Sequence, residues 1–127
     1  MNLKLRSITE PGNLQLERLT LKAEVALNIG DFVVAQTGWA GEQPSIQIFH
    51  AIWFPYEEVK AGDLVIIYTR QGSPSKKLLK TGKNTAHFFY WDLNKTIWDA
   101  NFRGAVVMNA PEWNAQPTNE LVRPTIA

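Results

Sequence analysis

Two histidines, His50 and His87, and no cysteine set the first limits on what this chain can do. Without a thiol there is no thiolate zinc site, no disulfide framework and no cysteine nucleophile. A histidine-based metal site would need carboxylate partners such as Asp63, Asp92 or Asp99, but no H-x-H or H-E-x-x-H spacing occurs. His50 lies between Phe49 and Ala51, in phase with Ile48 and Ile52, and His87 opens an aromatic run. Both read as structural or surface side chains. None of Ser7, Ser45, Ser73 and Ser75 stands in a G-x-S-x-G elbow. Glu57 and Glu58 are adjacent on a turn and read as solvated rather than as a paired acid and base. Gly38 and Gly41 flank Trp39 without the Lys-Ser/Thr of a phosphate loop. No catalytic residue, metal or cofactor is expected, and the chain reads as a non-enzyme.

Binding chemistry has more support. From Leu64 to Trp91 the chain carries Arg70, Lys76, Lys77, Lys80 and Lys83 and not one acidic residue. Tyr90 and Trp91 follow closely. A positive loop over 70–83 beside exposed rings could hold phosphates while the rings stack on bases, giving weak, salt-sensitive nucleic-acid binding without sequence preference. The competing reading is a solubilising loop that keeps a hairpin from pairing with its neighbours. Trp39, in a loop flanked by glycines, and Trp113, beyond Pro111, are hard to bury from local sequence. They are candidates for a protein interface, with a partner or a second copy, because an exposed indole invites a cover. Alternatively, the tail folds back and Trp113 caps one end of the domain.

The elements that must position these residues read as β. Leu3 and Leu5 alternate with Lys4 and Arg6, and Glu10-Pro-Gly-Asn13 makes a turn. Leu14, Leu16, Leu19, Leu21 and Ala23 alternate with a phase slip near Glu17-Arg18, which suggests a bulge or two short strands. Phe32–Thr37 is a short β-branched strand, followed by the loop around Trp39. In 45–54, Ile46, Ile48, Ile52 and Phe54 fall on a buried face, with Phe49 and Trp53 on the other. Leu64–Tyr68 lacks alternation, as a central strand covered on both faces would. Arg70–Asn84 reads as a long polar loop, followed by strands over 87–91, 96–98 and 105–108. Trp53, Phe54, Phe89 and Trp98 are expected to fill the core. No convincing amphipathic helix appears.

With 127 residues, 45% hydrophobic and 20% charged, the chain fits one globular domain able to bury a core. Thirteen basic against 12 acidic residues leave a net charge of +1, which favours neither a dedicated nucleic-acid binder nor an acidic-surface partner. Met-Asn-Leu-Lys-Leu-Arg at the start lacks a signal-peptide core, and no run approaches the ~18 apolar residues of a membrane span. A cytoplasmic protein without membrane contact is expected. The division is a β domain over 1–110 and a tail over 111–127 containing Pro111, Pro117 and Pro124.

The order of Leu19-Thr-Leu-Lys22, Ile29-Gly-Asp-Phe-Val-Val34, Ile52-Trp-Phe-Pro55, Val59-Lys-Ala-Gly-Asp-Leu-Val-Ile-Ile67 and Thr96-Ile-Trp98 resembles the lamin tail domain family. That resemblance covers roughly residues 3–109. It departs after Trp98, where Asp99-Ala-Asn101 runs into Phe102-Arg-Gly104 without the family's Gly-Asp turn. The resemblance implies an all-β, immunoglobulin-like β-sandwich of about seven to nine strands. It also implies an interaction or assembly module, with no catalytic residues to carry over.

Overall fold

The computed structural model describes residues 1–125. Ile126 and Ala127, the end of the tail, lie outside the described residues. Ten strands form among the described residues: β1 (Leu3–Thr9), β2 (Arg18–Ala23), β3 (Leu27–Asn28), β4 (Phe32–Ala40), β5 (Gln43–Trp53), β6 (Glu58–Val59), β7 (Leu64–Tyr68), β8 (Ser75–Leu78), β9 (Thr85–Tyr90) and β10 (Arg103–Asn109). A 3-10 turn over Ile29–Asp31 precedes β4, and one helical turn, α1 (Thr118–Leu121), lies in the tail. No helix among the described residues is long and apolar enough to cross a membrane.

The strands build an all-β sandwich. One sheet runs β1-β2-β7-β9-β8, the other β10-β4-β5, and β3 pairs with β6 at the side. Leu19 and Leu21 of β2, Val65 and Ile67 of β7 and Phe89 of β9 meet Phe32 and Val34 of β4 in a shared core. Full burial of each such side chain stabilises the fold by roughly 1.5–3 kcal/mol. The central strand expected at 64–68 is present: β7 has β2 antiparallel on one flank and β9 parallel on the other. It is not covered on both faces as expected, since Val65 and Ile67 are buried in the core while Leu64, Ile66 and Tyr68 on the opposite face stay partly exposed. Its return path differs from expectation: the chain passes beyond β9, forms β8 within the supposed polar loop, and turns back antiparallel into β9.

Other local expectations are corrected. Leu14 and Leu16 lie in turns rather than a strand, and the irregularity of the first hairpin is in β1 between Leu5 and Ser7. Residues 96–98 form no strand, because the N–H groups of Ile97 and Trp98 go to a side chain instead of a ladder. Phe54, Phe89 and Trp98 are buried as expected, whereas Trp53 is 47% exposed. From Pro111 onward the described tail is exposed and irregular apart from α1.

Candidate functional site

β5 is the longest strand and an edge strand, paired with β4 only. A two-residue connection with Gly41 at φ +66° closes the β4–β5 hairpin. Gln36 pairs with His50 and Thr37 with Ile48, so Phe49 is an extra residue. Between the pairs Thr37–Ile48 and Trp39–Pro44, the segment Ser45-Ile46-Gln47 faces Gly38 alone. Such insertions bend a strand and re-aim its side chains. They break the alternation expected over 45–54: Ile46 is 102% exposed and Ile48 55%, while Ile52 keeps its place against the core. No Lys, Arg, Asp or Glu occurs anywhere in β5. The contrast with other edges is direct, since β1 carries Lys4 and Arg6, and β8 carries Lys76 and Lys77. Charges of that kind discourage an edge from pairing with another chain.

Trp39 belongs to β4 rather than to a loop, opposite Pro44. Its indole lies across Gly104 of β10, where a Cβ would strike the ring, so the glycine is what lets the indole lie flat on the sheet. Trp113 sits edge-on against Trp53, ring centroids 4.8 Å apart, with its Nε1 3.4 Å from the Tyr56 hydroxyl. Trp53 in turn donates its Nε1 hydrogen to the Gly30 carbonyl at 2.9 Å. The start of the tail thus folds back onto the domain. Trp39 and Trp113 remain 36% and 51% exposed.

The basic residues sit on different elements. Lys76 and Lys77 lie on β8, and the Lys76 ammonium pairs with Glu57 at 2.5 Å. Lys80 and Lys83 lie beyond the strand in the turn toward β9. Arg70 stands 4.9 Å from the Tyr68 ring centroid and 5.2 Å from that of Tyr90, and the two tyrosines stack at 5.6 Å. Trp91 is separate from this group and packs against Trp98 beside the core. Arg70 and Tyr90 are therefore brought together, while Trp91 turns to the core.

His87 and Asp63 form a buried pair that sequence reading left unconnected. His87 Nε2 donates to Asp63 Oδ2 at 2.9 Å. Burial would raise the Asp63 pKa, but the Thr85 N–H, His87, the Lys60 N–H and the Asn84 amide together outweigh it and hold the carboxyl at about 2. Glu57, expected to be solvated, is half-buried and reaches within 3.9 Å of His87 Nδ1. Among the described residues no hydroxyl bonds to His87, so the pair ties the turn at 60–63 to β9 and presents no nucleophile. No group of three or more His, Asp or Glu among the described residues is arranged to hold a metal ion.

His50 lines a cleft of about 270 Å³ between the β10-β4-β5 sheet and the 93–100 segment, together with Lys95 and Arg103. Neither of those cations was legible as a site residue, since Lys95 lies in a bend and Arg103 at the start of β10 with no motif around either. Their proximity to His50 comes from the Phe49 bulge and from the packing of the 93–103 segment. No protein-family model matches this chain. No curated protein matches it.

Proposed function

We propose that the protein is a non-enzymatic assembly module that associates with a second copy of itself through the β4–β5 hairpin. The observation that carries this reading is the pair Ile46 and Ile48, exposed on an edge strand free of charged residues. Exposed aliphatic side chains on an unguarded edge favour a contact that removes them from water. An uncharged strand meets its own copy without like-charge repulsion, and a net charge of +1 adds little opposition at longer range. The insertions around Phe49 splay the strand, so side-chain packing dominates over an extended ladder of hydrogen bonds. The resemblance to lamin tail domains supports an interaction role, and the immunoglobulin-like assignment of the sandwich belongs to the same proposal.

The test is light scattering of the wild-type protein against Ile46→Lys/Ile48→Lys, with circular dichroism to verify the fold. A wild-type dimer or larger species that becomes monomeric in the variant is the expected result. A wild-type monomer at every concentration, or a variant of unchanged size, would reject the proposal.

A second reading, nucleic-acid contact without sequence preference, draws on Lys77, Lys80 and Lys83. All three are exposed and lie in a stretch without a carboxylate.

A further inference from the structure

The cleft beside the β5 bulge has a composition that selects one class of ligand. Phe49, Leu93, Ile97 and Ala100 supply apolar walls. The charged and titratable lining groups are Lys95, Arg103 and His50, and no carboxylate is among them. Arg103 is held in place from two sides. Its guanidinium carbon lies 3.9 Å from the centroid of the Phe49 ring, and Nη1 donates to the carbonyls of Asn101 at 3.0 Å and Phe102 at 3.3 Å. Nε and Nη2 have no partner among the described residues, and neither Arg103 nor Lys95 enters an ion pair there. The free Nε–Nη2 edge is the fork that matches the two oxygens of a carboxylate.

Buried Gln36 also lines the cleft. Its amide nitrogen donates to the Ile97 carbonyl at 2.5 Å, which leaves its oxygen to accept from His50 Nδ1 at 3.3 Å. His50 Nε2 therefore has no partner from Gln36. A volume of about 270 Å³ falls just under the ~300–1,000 Å³ of typical ligand sites, which restricts an occupant to about one ring.

We propose that this cleft binds a small organic carboxylate, its anionic end forked by Arg103 and assisted by Lys95, its apolar part against Leu93, Ile97 and Ala100. Cationic donors without acids exclude a cationic ligand, and the apolar walls favour an organic anion over a hydrated inorganic one. Burial lowers the His50 pKa, and a carboxylate bound nearby shifts its titration back upward. The charged groups that line the cleft with His50 are Lys95 and Arg103.

The experiment follows the two imidazoles by NMR in the full chain during titration with benzoate. His87, enclosed with Asp63 elsewhere in the domain, serves as the internal reference. The expected result is a saturable shift of the His50 resonances with those of His87 unmoved. Benzamide, the uncharged counterpart, should bind at least ~10-fold more weakly, as should benzoate to Arg103→Gln. Arg103→Lys keeps the charge but not the fork and should give an intermediate loss. Lys95→Gln, in an exposed turn, tests the second cation if Arg103→Gln alters the fold, and should weaken binding several-fold. An absent or unsaturable shift, equal binding of benzamide, displacement by equimolar phosphate, or undiminished affinity in both Arg103→Gln and Lys95→Gln would overturn the proposal.

Discussion

The carboxylate of Glu17 accepts the backbone N–H of Ile97 at 3.0 Å, joining residues 80 positions apart at the centre of the domain. The same carboxylate accepts from the N–H groups of Trp98 and Gly12 and from the Thr69 hydroxyl, and it is fully buried. Four donors on one buried carboxylate tie three separated turns to the start of β2. Glu17→Gln turns one accepting oxygen toward these donors into a donor. It should cost about 3 kcal/mol in urea unfolding, against about 1 kcal/mol for Thr69→Val, which removes one bond of the four. Similar losses for the two variants would refute the hub.

Asp63 makes stability depend on acid. Its folded pKa of about 2 lies below the ordinary 3.8, so its contribution is fully present above pH 3.8 and is lost as pH falls through 2. Linkage sets the size at about 2 kcal/mol. Urea midpoints should fall more steeply between pH 4 and 2 for the wild type than for Asp63→Asn. Parallel pH profiles of the two proteins would contradict this account.

Trp113 contributes to the domain through Trp53. Truncation after Ala110 should leave the β circular-dichroism signal intact and cost about 1 kcal/mol in urea unfolding. Trp53→Ala should cost more, because the hydrogen bond to the Gly30 carbonyl is lost as well. A truncated protein of unaltered stability would dissociate the tail from this contact.

For the nucleic-acid reading, Lys77→Gln/Lys80→Gln/Lys83→Gln should abolish retention on immobilised DNA at low salt. Lys76→Gln alone should change it little, since that ammonium already faces Glu57. Retention of the triple variant at the wild-type level would end this reading.

Much of the architecture was legible in the chain because strand period and turn chemistry are local. The uninterrupted run Leu64–Tyr68 is a central strand, and the aromatic run from His87 enters β9. Local pattern failed where a neighbour distant in sequence decided the outcome. Residues 96–98 have the β-branched and aromatic character of a strand, yet the carboxylate of Glu17 takes the N–H groups of Ile97 and Trp98. Ile46 and Ile48 have the alternation of a buried face, yet β5 is an edge with inserted residues. Trp39 appeared stranded between glycines, yet Gly104 gives it a surface on which to lie.

By itself the sequence determined an all-β domain, its central strand, a Pro-containing tail and the absence of thiol chemistry, since composition and period suffice for each. Tertiary structure alone decided which strand became an unguarded edge, which lysine found Glu57, and that His50, Lys95 and Arg103 share one cleft. Those outcomes depend on pairing and packing between segments tens of residues apart, and a side chain's own neighbours in sequence carry no record of them.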